Sequence, residues 1–95
     1  MPRLIWTRPA LRDLLRLHDF LAEKSPEAAQ RAIKSIRQGM SVLPKHPEMG
    51  RPIEEMPELR ELVIDFGQSA YVALYRLDQN QISILAVRHG REAGY

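Results

Sequence analysis

Residues 60–89 read RELVIDFGQSAYVALYRLDQNQISILAVRH, three β-prone runs separated by two short polar breaks. The runs are Arg60 to Asp65, Ser69 to Leu77 and Gln81 to His89, rich in the branched and aromatic residues that suit a pleated, half-buried surface. Phe66-Gly67-Gln68 and Asp78-Gln79-Asn80 are turn-forming links short enough for hairpins, so the runs form an antiparallel meander. Ala70 to Tyr75 is apolar on both alternating faces. That places the middle run at the centre of a sheet with helices against one side.

Upstream, two helical periodicities supply those helices. Leu4-Ile5-Trp6 is a short strand-like run that Thr7 ends as an N-cap, with Pro9 tolerated in the first turn. From there to Glu23 the residues Ala10, Leu11, Leu14, Leu15, Leu17, His18, Leu21 and Ala22 fall on one side of a helix. Arg8, Arg12 and Arg16 stack as a basic ridge on the other side, and Phe20 stands among the polar residues, away from the apolar stripe. An aromatic in that position marks a contact surface for a partner. His18, inside the stripe, is expected to be buried and to donate to a backbone carbonyl, and Trp6 to fill core.

Ser25-Pro26-Glu27 starts a second helix, whose stripe is Ala29, Ile33, Ile36, Met40 and Leu43. Pro44 and Pro47 stop it near Leu43. Residues 44–58, with four prolines and no periodicity, read as a long ordered loop. The order is therefore strand, two helices, three strands: an α+β arrangement with a helical hairpin packed on a small antiparallel sheet.

The chain has 95 residues, enough for one domain spanning residues 1–95. Its composition is ordinary for a globular protein, with 44% hydrophobic and 27% charged residues, which argues against disorder. No apolar run is long enough to span a bilayer and no signal-peptide core develops, so a cytoplasmic protein without membrane contact is expected. Zero cysteines exclude disulfides and thiolate chemistry, and three scattered histidines make neither a metal site nor any other cofactor site expected. The net charge of +2 conceals a basic front: residues 1–43 carry eight Lys/Arg against four Asp/Glu. Such a surface suits nucleic acid or an acidic protein partner. Near the free face of the sheet, Arg60, Arg76, Arg88, His89 and Arg91 collect, with Tyr95 behind them. Cations beside an aromatic can hold phosphates and stack a base, or can form a solvated chain end.

Trp6 before a helix, Asp13-Leu14, Pro47-Glu48-Met49-Gly50-Arg51-Pro52, Leu59-Arg60-Glu61-Leu62, Tyr71-Val72, Tyr75-Arg76 and Val87-Arg88-His89-Gly90-Arg91-Glu92 occur in an order that resembles ParE-type toxins of the RelE/ParE toxin–antitoxin superfamily. The resemblance spans nearly the whole chain and implies the order β-α-α-β-β-β. It also implies the toxin of a bacterial type II pair, neutralised by a ParD-like antitoxin in a complex such as a heterotetramer. The antitoxin is expected on Arg12, Arg16 and Phe20.

Two activities compete within that superfamily. ParE-like members bind DNA gyrase without bond-breaking chemistry of their own, and RelE-like members cleave mRNA on the ribosome. RNA cleavage needs a base, a donor to the leaving oxygen and cations on the phosphate. The run Glu61 to Asp65 contains none of the lysines that RelE-like nucleases carry, and Val72 stands where they place an arginine. The expectation is thus a gyrase inhibitor with no catalytic residue, contacting DNA only indirectly and using Arg60, Arg76, Arg88, His89 and Arg91 on its target. The alternative is an endoribonuclease working through His89, Arg91 and Tyr95.

Overall fold

The computed structural model describes residues 1–92 and 94–95. Strand β1 (Arg3–Trp6) leads into helix α1 (Arg8–Ala22), followed by α2 (Pro26–Ser41) and by strands β2 (Arg51–Ile53), β3 (Met56–Phe66), β4 (Ser69–Leu77) and β5 (Gln81–His89). Both helices begin as their sequences direct. The Thr7 hydroxyl accepts from the Ala10 N–H at 3.4 Å and the Ser25 hydroxyl from that of Ala28 at 3.2 Å, and each cap precedes a proline in the first turn, where a missing N–H costs nothing. α2 stops at Ser41, two residues before the expected Leu43.

The sheet has five strands in the order β1-β5-β4-β3-β2. The meander is present with β4 at its centre. Gly67, at φ 60°, opens the tight β3–β4 turn in a region that L side chains avoid. Two expectations need correction. The sheet is mixed, because β1 runs parallel to β5, pairing Arg3 with Gln81 and Trp6 with Ile84. And the segment 44–58 is not all loop: β3 begins at Met56, and β2 pairs with it antiparallel. Pro52 disguised β2, yet on an edge strand a proline leaves no ladder position wanting.

One face of the sheet carries Leu62, Ile64, Tyr71, Ala73, Tyr75, Ile82, Ile84 and Val87 against Ala10, Leu14 and Leu17 of α1 and Ala32, Ile36 and Met40 of α2. Trp6 packs on this core as expected and lies under the Arg37 guanidinium at 5.5 Å. The apolar stripe of α1 is narrower than its sequence suggests. Leu11 and Leu15 lie on its flank and are exposed, Leu15 by 61%. His18 shares that flank and is a correction: half-exposed, its Nδ1 lies 3.1 Å from an Asp19 carboxylate oxygen, and among the described residues it donates to no backbone carbonyl.

The segment after α2 is fixed by two side chains from the sheet. The Tyr75 hydroxyl donates to Pro47 O at 2.7 Å and accepts from the Gly50 N–H at 2.9 Å. Arg60 donates to Glu48 O at 3.0 Å and Gly50 O at 2.7 Å. Gly50 has no alternative here, since a Cβ would stand 2.6 Å from the Tyr75 ring and hydroxyl and 2.9 Å from Glu61 O.

Candidate functional site

β1 covers the outer edge of β5 only as far as Ile84. There the chain turns into α1, with the Thr7 N–H and hydroxyl both donating to Ile84 O, at 3.2 and 2.6 Å. Beyond that point the edge would carry unpaired backbone groups, and side chains take the place of a neighbouring strand. An Asp13 carboxylate oxygen accepts from the Val87 N–H at 2.8 Å, and the Arg16 guanidinium donates to Val87 O at 3.4 Å. Two residues on, the His89 N–H donates to Glu92 Oε1 at 2.7 Å. The other oxygen of Glu92 accepts from Arg16 Nη1 at 2.6 Å. Desolvation pushes the Glu92 carboxyl up, but the His89 N–H and the bonded Arg16 charge outweigh it and hold the carboxyl below its ordinary value.

After β5 the chain turns back. The Glu92 N–H donates to His89 O at 3.0 Å and the Gly90 N–H to Ala70 O at 2.8 Å. Alternation along β5 then sends its polar residues to opposite faces. His89, paired with Tyr71, faces the helices and meets the Tyr71 ring edge-on at 5.4 Å. Its Nδ1 accepts from the Arg91 N–H at 3.1 Å, so a neutral ring keeps its proton on Nε2. Arg88, paired with Val72, faces the other way. Its guanidinium donates to the carbonyls of His89, Gly90 and Glu92 and lies 5.1 Å from the Tyr95 ring. The Tyr95 hydroxyl donates to Glu61 at 2.6 Å, and burial together with that carboxylate pushes its pKa up.

The five residues expected on the target thus divide. Arg60 and Arg88 spend their guanidinium groups on backbone carbonyls of their own chain. Arg76 and Arg91 are exposed, and their guanidinium groups have no partner among the described residues. His89 is half-buried beside Arg91. The three expected of a nuclease do not converge: His89 and Tyr95 stand on opposite faces of the sheet. Of the residues expected on a partner, Arg12 and Phe20 are exposed, Phe20 by 73%. Arg16 leaves the expected ridge and binds the other end of the chain. An open groove between the helices, lined by His18, Gln30, Ile33, Lys34, Arg37 and Gln38, continues the cationic surface of α1.

The sequence places Asp13, Glu61 and Glu92 in the family-like motifs but assigns them no role, although each organises a cation or a strand end. The i, i+3 spacing of Asp13 and Arg16 was visible, but their common target 71 and more residues away was not. Among the described residues no cluster of His, Asp or Glu suits a metal, and no helix is long and apolar enough to cross a membrane.

Known proteins resemble this chain in sequence and fold. Residues 4–94 match the model of the ParE toxin of the type II toxin–antitoxin system parDE. Toxin RelE3 of Caulobacter vibrioides is 36% identical over 83 residues, covering 87% of this chain and 88% of that protein. A chain of the chromosomal ParDE toxin–antitoxin system from P. aeruginosa superposes with a TM-score of 0.78 at 29% identity, over 94% of this chain and 96% of the other. The toxin–antitoxin complex RelBE2 of Mycobacterium tuberculosis contains a chain that superposes with a TM-score of 0.64 at 25% identity, over 94% and 99%. With its helical hairpin on a mixed sheet and a cationic chain end folded against α1, this protein belongs to the ParE/RelE family and is the toxin of a type II toxin–antitoxin pair.

Proposed function

We propose that the toxin inhibits DNA gyrase by binding it, in the cytoplasm, through the cations at the end of β5, and that a ParD-like antitoxin holds it inactive. The observation that carries binding over cleavage is the separation of the groups cleavage would need. The His89 Nδ1 lone pair is occupied by the Arg91 N–H, and the Tyr95 hydroxyl is committed to Glu61 across the sheet. A base and an acid on opposite faces cannot flank one phosphate. Arg91, the unengaged cation at the end of β5, acts on gyrase and on the DNA it holds through charge, and Arg76, beside Ser83 at the opposite end of the sheet, extends the contact. The antitoxin supplies an acidic, apolar segment to the solvent side of α1, where Arg12, Leu15 and Phe20 are exposed.

The second reading, a ribosome-dependent endoribonuclease, is favoured by the RelE names of the curated relatives. One pair of assays separates the two. Purified toxin is incubated with gyrase and plasmid DNA and, in parallel, with ribosomes and mRNA. Loss of supercoiling or trapped gyrase–DNA complexes with intact mRNA is expected. Codon-positioned mRNA cuts that disappear in His89→Gln would replace the proposal with the nuclease.

A further inference from the structure

We infer that Glu92 is a positioning residue for toxicity: bridging Arg16 of α1 and the His89 N–H of β5, its carboxylate sets the shape in which Arg91 and the end of β5 are offered to the target. The inference rests on the reading that these cations meet the target, but it adds a residue and a mechanism to it.

Three observations converge on the carboxylate. Its two oxygens are divided between two elements, one at 2.7 Å from a strand N–H and the other at 2.6 Å from a guanidinium. The backbone of the same residue closes the turn, its N–H donating to His89 O and its carbonyl accepting a hydrogen bond from Arg88. And the partner, Arg16, is itself held by Asp13 at 3.7 Å and by Val87 O. Glu92 therefore reaches a fixed cation rather than a swinging one. Without it the His89 N–H, at a strand edge that β1 does not reach, has no other acceptor among the described residues. The turn carrying Arg91 would then keep its backbone bonds, the His89 ring and the Arg88 bonds to its carbonyls, but would lose its tie to α1. A charge-assisted pair on two rigid elements is the kind of contact that orders a chain end, whereas an isolated surface ion pair is worth little.

The test uses Glu92→Ala, Glu92→Gln, Arg16→Ala and the Arg16→Ala/Glu92→Ala double variant. It reads the protection of the His89 amide against hydrogen exchange and growth arrest on induction in cells lacking the antitoxin. Glu92→Ala is expected to lose roughly tenfold or more of the protection, the scale of a charge-assisted bond, and to need more inducer for the same arrest. Glu92→Gln, which retains an acceptor for the N–H, is expected to keep part of both. The double variant should be no worse than Glu92→Ala alone, as for one shared contact. The protection should also fall with acidification in the wild type, as Glu92 takes a proton among Arg16 and Asp13 of α1 and Arg88 and His89 of β5, and should lack that step in Glu92→Gln. Unchanged protection, unchanged arrest, or a wild type that arrests no growth would each overturn the inference. A wild type that arrests growth but leaves gyrase untouched would remove the gyrase reading while leaving Glu92 in its role.

Discussion

At the scale of single residues, the polar groups that matter most bind backbone. Tyr75 is the clearest, since its hydroxyl satisfies a donor and an acceptor that no strand or helix reaches. Tyr75→Phe strands the Gly50 N–H and Pro47 O and is expected to cost about 1–3 kcal/mol in urea unfolding, the penalty of unpaired buried groups. His89→Gln behaves differently. General acid–base groups contribute roughly 10²–10⁴-fold, whereas a contact residue of a binder loses at most about tenfold, the value of one hydrogen bond. We expect the smaller effect on gyrase inhibition, measured by dose response. Glu92 sets an acid limit: its folded pKa lies below its unfolded one, so its contribution is complete above the ordinary carboxylate range and is lost as pH falls through the folded value. Unfolding midpoints measured down through the acid range should drop more steeply for the wild type than for Glu92→Gln.

Among elements, what was legible in the sequence is what local pattern encodes. The meander showed because Val63 to Asp65 and Tyr71 to Tyr75 carry strand residues between turn residues, and the helices showed because Thr7 and Ser25 cap apolar periodicities. β2 did not, because three residues containing Pro52 have no periodicity and take their conformation from β3. The parallel pairing of β1 was invisible for another reason, since a strand's own residues do not name a partner 78 positions away. The same limit applies to the site. Arg88 and Arg60 read as free cations, but their acceptors are carbonyls that only the folded backbone brings near. Leu15 and His18 read as core because a helical stripe is wide on paper, while a two-helix hairpin on a sheet covers only part of it. The close approach of α2 to β3 makes an element-level prediction. A Cβ on Gly39 would sit 2.9 Å from the Ile64 side chain, so Gly39→Ala should push the helix outward and lower stability by about 1–3 kcal/mol, although alanine favours helix.

For the molecule as a whole, the separation of surfaces governs what can be removed. Deletion of residues 91–95 leaves the β4–β5 register intact, since that pairing ends at His89. It removes Arg91, the Glu92 carboxylate and the Tyr95–Glu61 bond together. The truncated chain is expected to fold, with unfolding free energy lowered by about 1–3 kcal/mol, and to arrest no growth. A truncation that still arrests growth would move the target contact elsewhere. On the other side, Arg12→Ala/Phe20→Ala alters only exposed groups, so it should leave thermal unfolding unchanged and weaken antitoxin binding roughly tenfold or more, as loss of an aromatic anchor does.

The parallel pairing of Arg3–Trp6 with Gln81–Ile84 also bears on when the protein comes to exist. During synthesis the helical hairpin and the β3–β4 hairpin close over short sequence separations, while β1 has no partner until residues 81–84 leave the ribosome. At bacterial elongation rates of roughly 5–20 residues per second, that wait is several seconds. The strand that completes the sheet is also the one proposed to meet the target, so a nascent chain lacks that surface until residues 81–91 have emerged. An antitoxin already present has that interval in which to be waiting.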